Sequence, residues 1–310
     1  MPHAMTTVLR ELQELVDDSV ADLPGGFHLD ICAFIKRQFD AATDDDGGDG
    51  GDDGASDNDD AHHIAQSVEA LISGTHEEMA DAAADLLALA SDNDANASAI
   101  VSAGVIPKLM MLMRDGTYDQ KCFSSDILVC LANDNDTAQT ILVREGGIET
   151  CIALVRDGAH DGYRINAVRV LRKLALNDVH SVDIARGGGI FALITLVRTG
   201  GAIINAMWAL ATLARNDDNK VVIAREGGIQ ALVPIVRDGT DTEKTQGLRV
   251  LQFLTHNEDN RVLVAREGGI EALVAQVRDG DFMNKKLAMQ TLANLALNDA
   301  NKVTIARITT

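Results

Sequence analysis

The chain has 310 residues, of which 46% are hydrophobic and only 3% aromatic, so its core must be built mainly from aliphatic side chains. Lys and Arg number 27 against 47 Asp and Glu, a formal net charge of −20. This balance argues against general binding to nucleic acid, where cations would have to displace the counterions of the phosphate backbone. No apolar run reaches the roughly 18 residues that a bilayer span needs, so we expect no membrane insertion.

The first 41 residues predict a helical hairpin. An apolar stripe of helical period runs from Val8 to Val20, Pro24 ends it, and a second stripe runs from Ile31 to Phe39. Residues 42–61 are rich in Asp and Gly, and their only apolar side chains before the next helix are alanines, so we interpret them as a disordered acidic linker. The linker does not match a calcium-binding loop, and we predict no metal site there.

Residues 62–310 repeat themselves. An isoleucine recurs every 39 to 42 residues, and a glycine follows ten residues after each one. The isoleucines are Ile64, Ile106, Ile148, Ile190, Ile229 and Ile270, and the glycines are Gly74, Gly116, Gly158, Gly200, Gly239 and Gly280. We interpret each isoleucine as opening a helix and each glycine as closing it with a left-handed cap, a conformation that a residue without Cβ enters cheaply.

Each unit also carries a longer helix, marked by a small residue and then two leucines at spacings of four and three. Ala206, Leu210 and Leu213 are one such set, and the small residue lets a neighbouring helix approach closely. After the long helix of the second to sixth units, an Asn-acid dipeptide predicts the N-cap of a short helix that leads into the next unit. These dipeptides are Asn133-Asp134, Asn177-Asp178, Asn216-Asp217, Asn257-Glu258 and Asn298-Asp299. Units with apolar stripes that they cannot bury alone predict a stacked solenoid, with a truncated seventh unit at 298–310.

The repeat closely resembles the armadillo repeat. The pattern N-x-x-x-I-x-x-x-G-G-I-x-x-L-V-x-[LI]-V is followed, in the last helix of a unit, by A-x-x-x-L-x-x-L-A; Asn219 to Ala224, Gly227 to Val236 and Ala206 to Ala214 match best. The resemblance implies an all-α, right-handed α-solenoid of about six armadillo repeats, preceded by the hairpin. It also implies that the third helices line a concave groove, which in this family commonly holds an extended peptide.

Two positions of each third helix should then face the groove, five residues and one residue before the second leucine. From the third unit onward they hold Arg169, Lys173, Trp208, Thr212, Arg249, Phe253, Gln290 and Asn294. Because the centre of this set is cationic and aromatic, we expect an acidic or phosphorylated peptide as the partner. Nuclear-import adaptors with the same repeat hold basic peptides with a tryptophan and an asparagine at these positions. Here only Trp208 and Asn294 match, in different units.

The sequence shows no arrangement that would support catalysis. The histidines form no H-E-x-x-H, the glycine doublets lack the phosphate-loop pattern, and Cys32, Cys122, Cys130 and Cys151 form no C-x-x-C pair. We expect no cofactor, no enzymatic activity, and a cytoplasmic or also nuclear scaffold or adaptor for a protein partner. Two alternatives stay open: an adaptor or regulatory subunit of an enzyme complex such as a ubiquitin ligase, and an import-type carrier.

Three finer expectations follow from the repeat alignment. The fourth unit is short, which predicts a tighter loop between its second and third helices near Gly200. The seventh unit stops early, so we expect self-association through an uncapped end bordered by Leu292, Leu295 and Ile305. The nine aspartates of residues 44–60 either compete with an acidic peptide for the basic groove or serve only as a solubilising spacer.

Overall fold

The computed structural model describes residues 56–158 and 160–309, which form eighteen α-helices joined by short loops. The helices are α1 Ser56–Ser73, α2 His76–Asp92, α3 Asp94–Ser102, α4 Ile106–Asp115, α5 Tyr118–Leu131, α6 Asp136–Arg144, α7 Gly147–Asp157, α8 Asp161–Leu174, α9 Asp178–Arg186, α10 Gly189–Thr199, α11 Ile203–Leu213, α12 Asp217–Arg225, α13 Gly228–Asp238, α14 Asp241–Leu254, α15 Glu258–Arg266, α16 Gly269–Asp279, α17 Phe282–Leu295 and α18 Asp299–Thr309. The predicted hairpin and most of the predicted linker lie outside the described residues.

The helices follow the predicted repeat. Repeats two to six each contain a short first helix, a second helix and a third helix, from α3–α5 to α15–α17. In the described part of repeat one there are two helices, α1 and α2, and α18 is the first helix of a seventh. The prediction of an all-α repeat solenoid is therefore confirmed.

Helix contacts divide the chain into two compact bodies. Of the described residues, the N-terminal body contains 56–154, 158 and 160–174, and the C-terminal body contains 155–157 and 175–309. In the N-terminal body the third helices α2, α5 and α8 pack side by side, and in the C-terminal body α11, α14 and α17 do the same. Ala206, Leu210 and Leu213 are fully buried, as their spacing predicts.

A row of buried asparagines links successive repeats in the C-terminal body. The third residue of each first helix is Asn219, Asn260 or Asn301, and we call these the asparagine row. Each Nδ2 group donates a hydrogen bond to a carbonyl in the preceding repeat: Ser181 O for the first, Lys220 O for the second and Arg261 O for the third. The row adds buried, directional contacts to the packing of aliphatic side chains between these repeats.

The predicted left-handed caps are wrong for most of the closing glycines. Gly116 and Gly239 have φ of −73° and −69°, and of the six glycines only Gly200 has a positive φ, 80°. Glycine is required for space instead, because a Cβ on Gly116 would lie 2.4 Å from Leu112 O and 2.7 Å from the Cβ of Gln120. The left-handed conformation occurs instead in the loop between the first and second helices of a repeat. It is adopted there by the first glycine of doublets such as Gly227-Gly228, where φ is 82°.

The prediction of a tighter loop in the fourth repeat is also wrong. Helix α11 has 11 residues where α14 and α17 have 14, so the deletion shortens the third helix. Residues 200–202 connect α10 to α11, whereas α13 and α14 are joined by residues 239–240 alone. The longer connection turns through two left-handed residues, Gly200 at φ 80° and Ala202 at φ 47°.

Other boundaries differ from the predictions at both ends. Helix α1 begins at Ser56, so Ile64 lies in its middle and the predicted linker is shorter at this end. Leu295 is fully buried and does not border an exposed end, whereas Leu297 and Val303 are exposed. The Asn caps are confirmed at Asn177, Asn216, Asn257 and Asn298, whose side chains accept backbone N–H groups. In repeat three the cap is Asn135 and not Asn133.

Candidate functional site

The N-terminal body uses its two predicted groove cations internally. Arg169 Nη1 lies 3.1 Å from Asp126 Oδ1 and 3.1 Å from Asn166 Oδ1, and the Arg169 side chain is largely buried. Lys173 is 7% exposed, and its ammonium group donates to Asn133 Oδ1. Both cations therefore already have hydrogen-bond partners inside this body, and the expectation that they bind an acidic peptide stays a prediction.

A cleft of about 210 Å³ lies beside these two cations, between helices α2, α3, α5 and α8. Cys130 also lines it, with its Sγ 3.7 Å from Ser91 Oγ. Burial lowers the pKa of Lys173, and the nearby Arg172 lowers it further. Burial raises the pKa of Asp126 even though Arg169 opposes the shift. The cleft thus contains desolvated charges whose partners come from neighbouring repeats.

The C-terminal body presents its predicted positions differently. Arg249 is exposed, and Trp208 and Phe253 are each partly exposed on adjacent third helices. The polar groups of the others are in use: Gln290 Oε1 accepts from Gln252 at 2.9 Å, Asn294 Nδ2 donates to Thr255 Oγ1 at 3.2 Å, and Thr212 Oγ1 donates to Trp208 O at 3.1 Å. Two aromatic rings and one guanidinium group therefore dominate this surface.

A third position, two residues beyond the end of each of these helices, was missed by the sequence analysis. Two residues after the second leucine, the chain carries Arg215, His256 and Leu297, all exposed. Their constant offset from the leucine pair is the signal that could have identified them. We call the nine residues at the three positions the groove face: Trp208, Thr212, Arg215, Arg249, Phe253, His256, Gln290, Asn294 and Leu297. None of the nine is acidic.

The described residues offer nothing that would hold a metal, because no group of three His, Cys, Asp or Glu side chains has suitable geometry. Among the same residues, no single helix is long and apolar enough to cross a bilayer. Two consecutive pairs, α3 with α4 and α9 with α10, reach that length and composition together, but they are bent by 82° and 71°.

Solved structures that resemble this chain include engineered proteins and designed armadillo repeat proteins. One engineered protein is 24% identical and aligns with a TM-score of 0.71 over 76% of this chain and 96% of its own. A designed armadillo repeat protein in complex with the peptide (KR)4 is 19% identical, with a TM-score of 0.70 over 75% and 99% of the two chains. Computationally designed armadillo repeat proteins for modular peptide recognition align at 20% identity and a TM-score of 0.68, over 74% and 99%. No protein-family profile and no curated protein matches the sequence.

These alignments and the helix order define the class of protein: an all-α repeat solenoid with the armadillo fold. No particular member of that class is matched.

Proposed function

We propose that this chain is a non-enzymatic scaffold that binds an extended acidic peptide across the groove face of its C-terminal body. The observation that carries the proposal is the composition of that face, where an exposed Arg249 and two partly exposed aromatic residues, Trp208 and Phe253, lie on adjacent third helices. Tryptophan and arginine are enriched among the residues that dominate binding energy in protein interfaces, and arginine pairs with carboxylate or phosphate through two parallel hydrogen bonds.

The charge of the groove face determines which charge we expect on the bound peptide. Arg215 and Arg249 are cationic, and His256 becomes so when protonated, with no acidic residue among the nine. A basic peptide like the (KR)4 held by one designed armadillo protein would meet like charges here. This disfavours the import-type carrier and favours peptides that carry Asp, Glu or phosphorylated residues.

The cellular role that we propose is that of an adaptor, in the cytoplasm or also the nucleus. A unit that contributes only binding can bring an acidic segment of one protein to a catalytic partner, as an adaptor of a ubiquitin ligase would. The same activity would serve an assembly without an enzyme.

The predicted competition by residues 44–60 concerns residues that are mostly undescribed, although Asp60, at their end, already accepts a hydrogen bond from Asn96.

The experiment uses the fluorescence of Trp208, because this is the single tryptophan of the chain. The full chain is titrated with a ten-residue peptide of alternating Glu and Leu, and with the matched Lys and Leu peptide. We expect saturable binding of the acidic peptide alone, weakened at least about tenfold in Arg249→Glu. Arg237→Glu is the control for net charge, because Arg237 is also an exposed cation but lies on the second helix α13, where it pairs with Asp238.

The two peptides separate the proposals. Binding of the Lys peptide in place of the Glu peptide would support a carrier for basic segments and contradict an acidic ligand. Equal loss of binding in Arg249→Glu and Arg237→Glu would show that the net charge of the protein, and not the groove face, attracts the peptide. No binding of either peptide, measured calorimetrically as well, would remove the basis for peptide recognition on this face.

A further inference from the structure

The first helices of the C-terminal body carry an apolar row on their outer side. The fifth residue of each first helix in this body is a valine: Val182 on α9 is partly exposed, whereas Val221, Val262 and Val303 on α12, α15 and α18 are each 50% exposed. We call the three more exposed valines the valine row. Successive first helices contact one another, so the three side chains lie on neighbouring helices of one surface.

Comparison among the repeats shows that this position does not have to be apolar. Its counterparts in the N-terminal body are Ser98 on α3 and Thr140 on α6, both exposed and polar. Valine is also one of the weaker helix formers, so an exposed helical valine contributes neither propensity nor burial within the body. Three exposed valines at the same position of neighbouring first helices therefore indicate a surface that a further molecule or segment covers.

Charged residues flank the valine row in a fixed order. On α12 and α15 an aspartate precedes the valine by three residues and an arginine follows it by four, a spacing that places all three on one helix face. The aspartates are Asp218 and Asp259, the arginines are Arg225, Arg266 and, on α18, Arg307, and all five are exposed. Arg225 and Arg266 also form surface ion pairs with the next residue in the chain, Glu226 and Glu267. From the start to the end of α12 and α15, this surface therefore carries an aspartate, a valine and an arginine, whereas α18 carries only the valine and the arginine.

We propose that the valine row is the contact between two copies of this chain. If a second copy is rotated about a two-fold axis parallel to the direction in which the first helices stack, each first helix lies antiparallel to its own counterpart. Valine then meets valine, and each aspartate meets an arginine of the other copy. An isologous two-fold contact requires this kind of self-complementary patch.

The size of the patch sets the strength of the contact. A nine-residue helix is about 13 Å long, and three helices at spacings of about 8–10 Å cover roughly 400 Å² per copy. The total is about 800 Å², below the range of stable complexes and in that of weak encounters. We therefore expect a dissociation constant on the order of 0.1 mM. The net charge of −20 repels two copies, so the measurement belongs at physiological salt.

Sedimentation equilibrium of the full chain, from about 10 µM to about 1 mM, tests the proposal. We expect a monomer–dimer equilibrium that Val262→Asp weakens at least tenfold, because two charges would meet on the axis. Thr140→Asp makes the same change at the corresponding exposed position of repeat three and should leave the constant unchanged.

A charge-reversal cycle tests the orientation and does not depend on the folding of Val262→Asp. Arg266→Asp should weaken the dimer several-fold, because it places an aspartate opposite Asp259 of the other copy. Adding Asp259→Arg to it should restore the constant to within about twofold of the wild-type value, because the reversed pair is again self-complementary.

Three results would overturn the proposal. The first is a monomer at every concentration, which would mean that another part of the chain, or nothing, covers the valine row. The second is a dimer that Val262→Asp does not weaken, as expected if the contact lies at the predicted C-terminal end near Leu297. The third is a double reversal that folds, by its circular dichroism, and remains as weak as Arg266→Asp.

Discussion

Replacing Asn260 by alanine should measure how strongly the asparagine row holds two repeats together. Asn260 is 3% exposed, and its Nδ2 group donates to Lys220 O at 3.2 Å and to Leu254 O at 3.1 Å. Both acceptors belong to repeat five: Lys220 lies in its first helix, α12, and Leu254 is the last residue of its third helix, α14. One side chain therefore joins two helices that are not its own.

The size of the stability loss depends on whether each carbonyl group keeps another hydrogen-bond donor. Leu254 O also accepts the Asn257 N–H, and Lys220 O lies inside α12, where the helix supplies a donor. Both carbonyl groups therefore keep a donor after the substitution. The variant loses two hydrogen bonds, each with a net contribution of about 0.5–1.5 kcal/mol, and does not incur the larger penalty of an unsatisfied buried group. We expect Asn260→Ala to lower the free energy of unfolding by about 1–3 kcal/mol. Asn260→Asp should cost more, because a buried carboxylate would face two carbonyl oxygens.

Urea denaturation followed by Trp208 fluorescence reports on this body, since the tryptophan lies in α11. The matched control is Gln230→Ala, which removes an exposed hydrogen bond between repeats, from Gln230 Nε2 to Glu267 Oε1 at 3.3 Å. The control should change stability by less than about 0.5 kcal/mol. If Asn260→Ala and Gln230→Ala have equal effects, burial of the hydrogen bond does not determine its contribution and the reasoning fails.

Three further substitutions test the backbone and the buried charges. Ala202→Gly should raise the free energy of unfolding by about 0.5–1 kcal/mol in urea denaturation, since glycine relieves the left-handed φ of 47°; no change or a loss would contradict this. Gly116→Ala should lower the thermal midpoint, costing about 1–3 kcal/mol, because its Cβ would lie 2.4 Å from Leu112 O; a tolerated alanine would show that the steric reading is wrong. Burial raises the pKa of Asp126 and favours its protonated form in the folded state, so the wild type should lose stability relative to Asp126→Asn as the pH rises from the usual range of an aspartate through that raised pKa; parallel pH profiles would refute this.

The features that the sequence predicts correctly are those set by short spacings. A small residue and two leucines at intervals of four and three lie on one helix face whatever surrounds them, and Ala206, Leu210 and Leu213 are buried accordingly. Asn216 and Asn257 cap their helices because the cap bond is local, to a backbone N–H two or three residues on.

Two kinds of feature could not be predicted from the sequence. One is a contact between residues that are far apart in the chain, and the other is the choice between two similar backbone conformations. Arg169 is paired with Asp126, 43 residues away, and Lys173 with Asn133, 40 residues away, so the groove position alone cannot show that these cations are in use. For Gly116, a left-handed cap and a crowded extended cap both require the absence of Cβ, and the identity of the residue does not distinguish them.

The two proposed surfaces of the C-terminal body lie on different helices, and this predicts that they act independently. Arg249 and Phe253 belong to the third helix α14, whereas Val262 and Arg266 belong to the first helix α15. Substitutions without shared partners add within about 0.5 kcal/mol. Val262→Asp should therefore leave the Trp208 titration with the Glu and Leu peptide unchanged, and Arg249→Glu should leave the dimer constant unchanged. A dimer would still present two groove faces, so two copies of the peptide on one flexible linker should bind more tightly than one, by an amount that Val262→Asp reduces. Weaker single-peptide binding in Val262→Asp would show that the two surfaces are coupled.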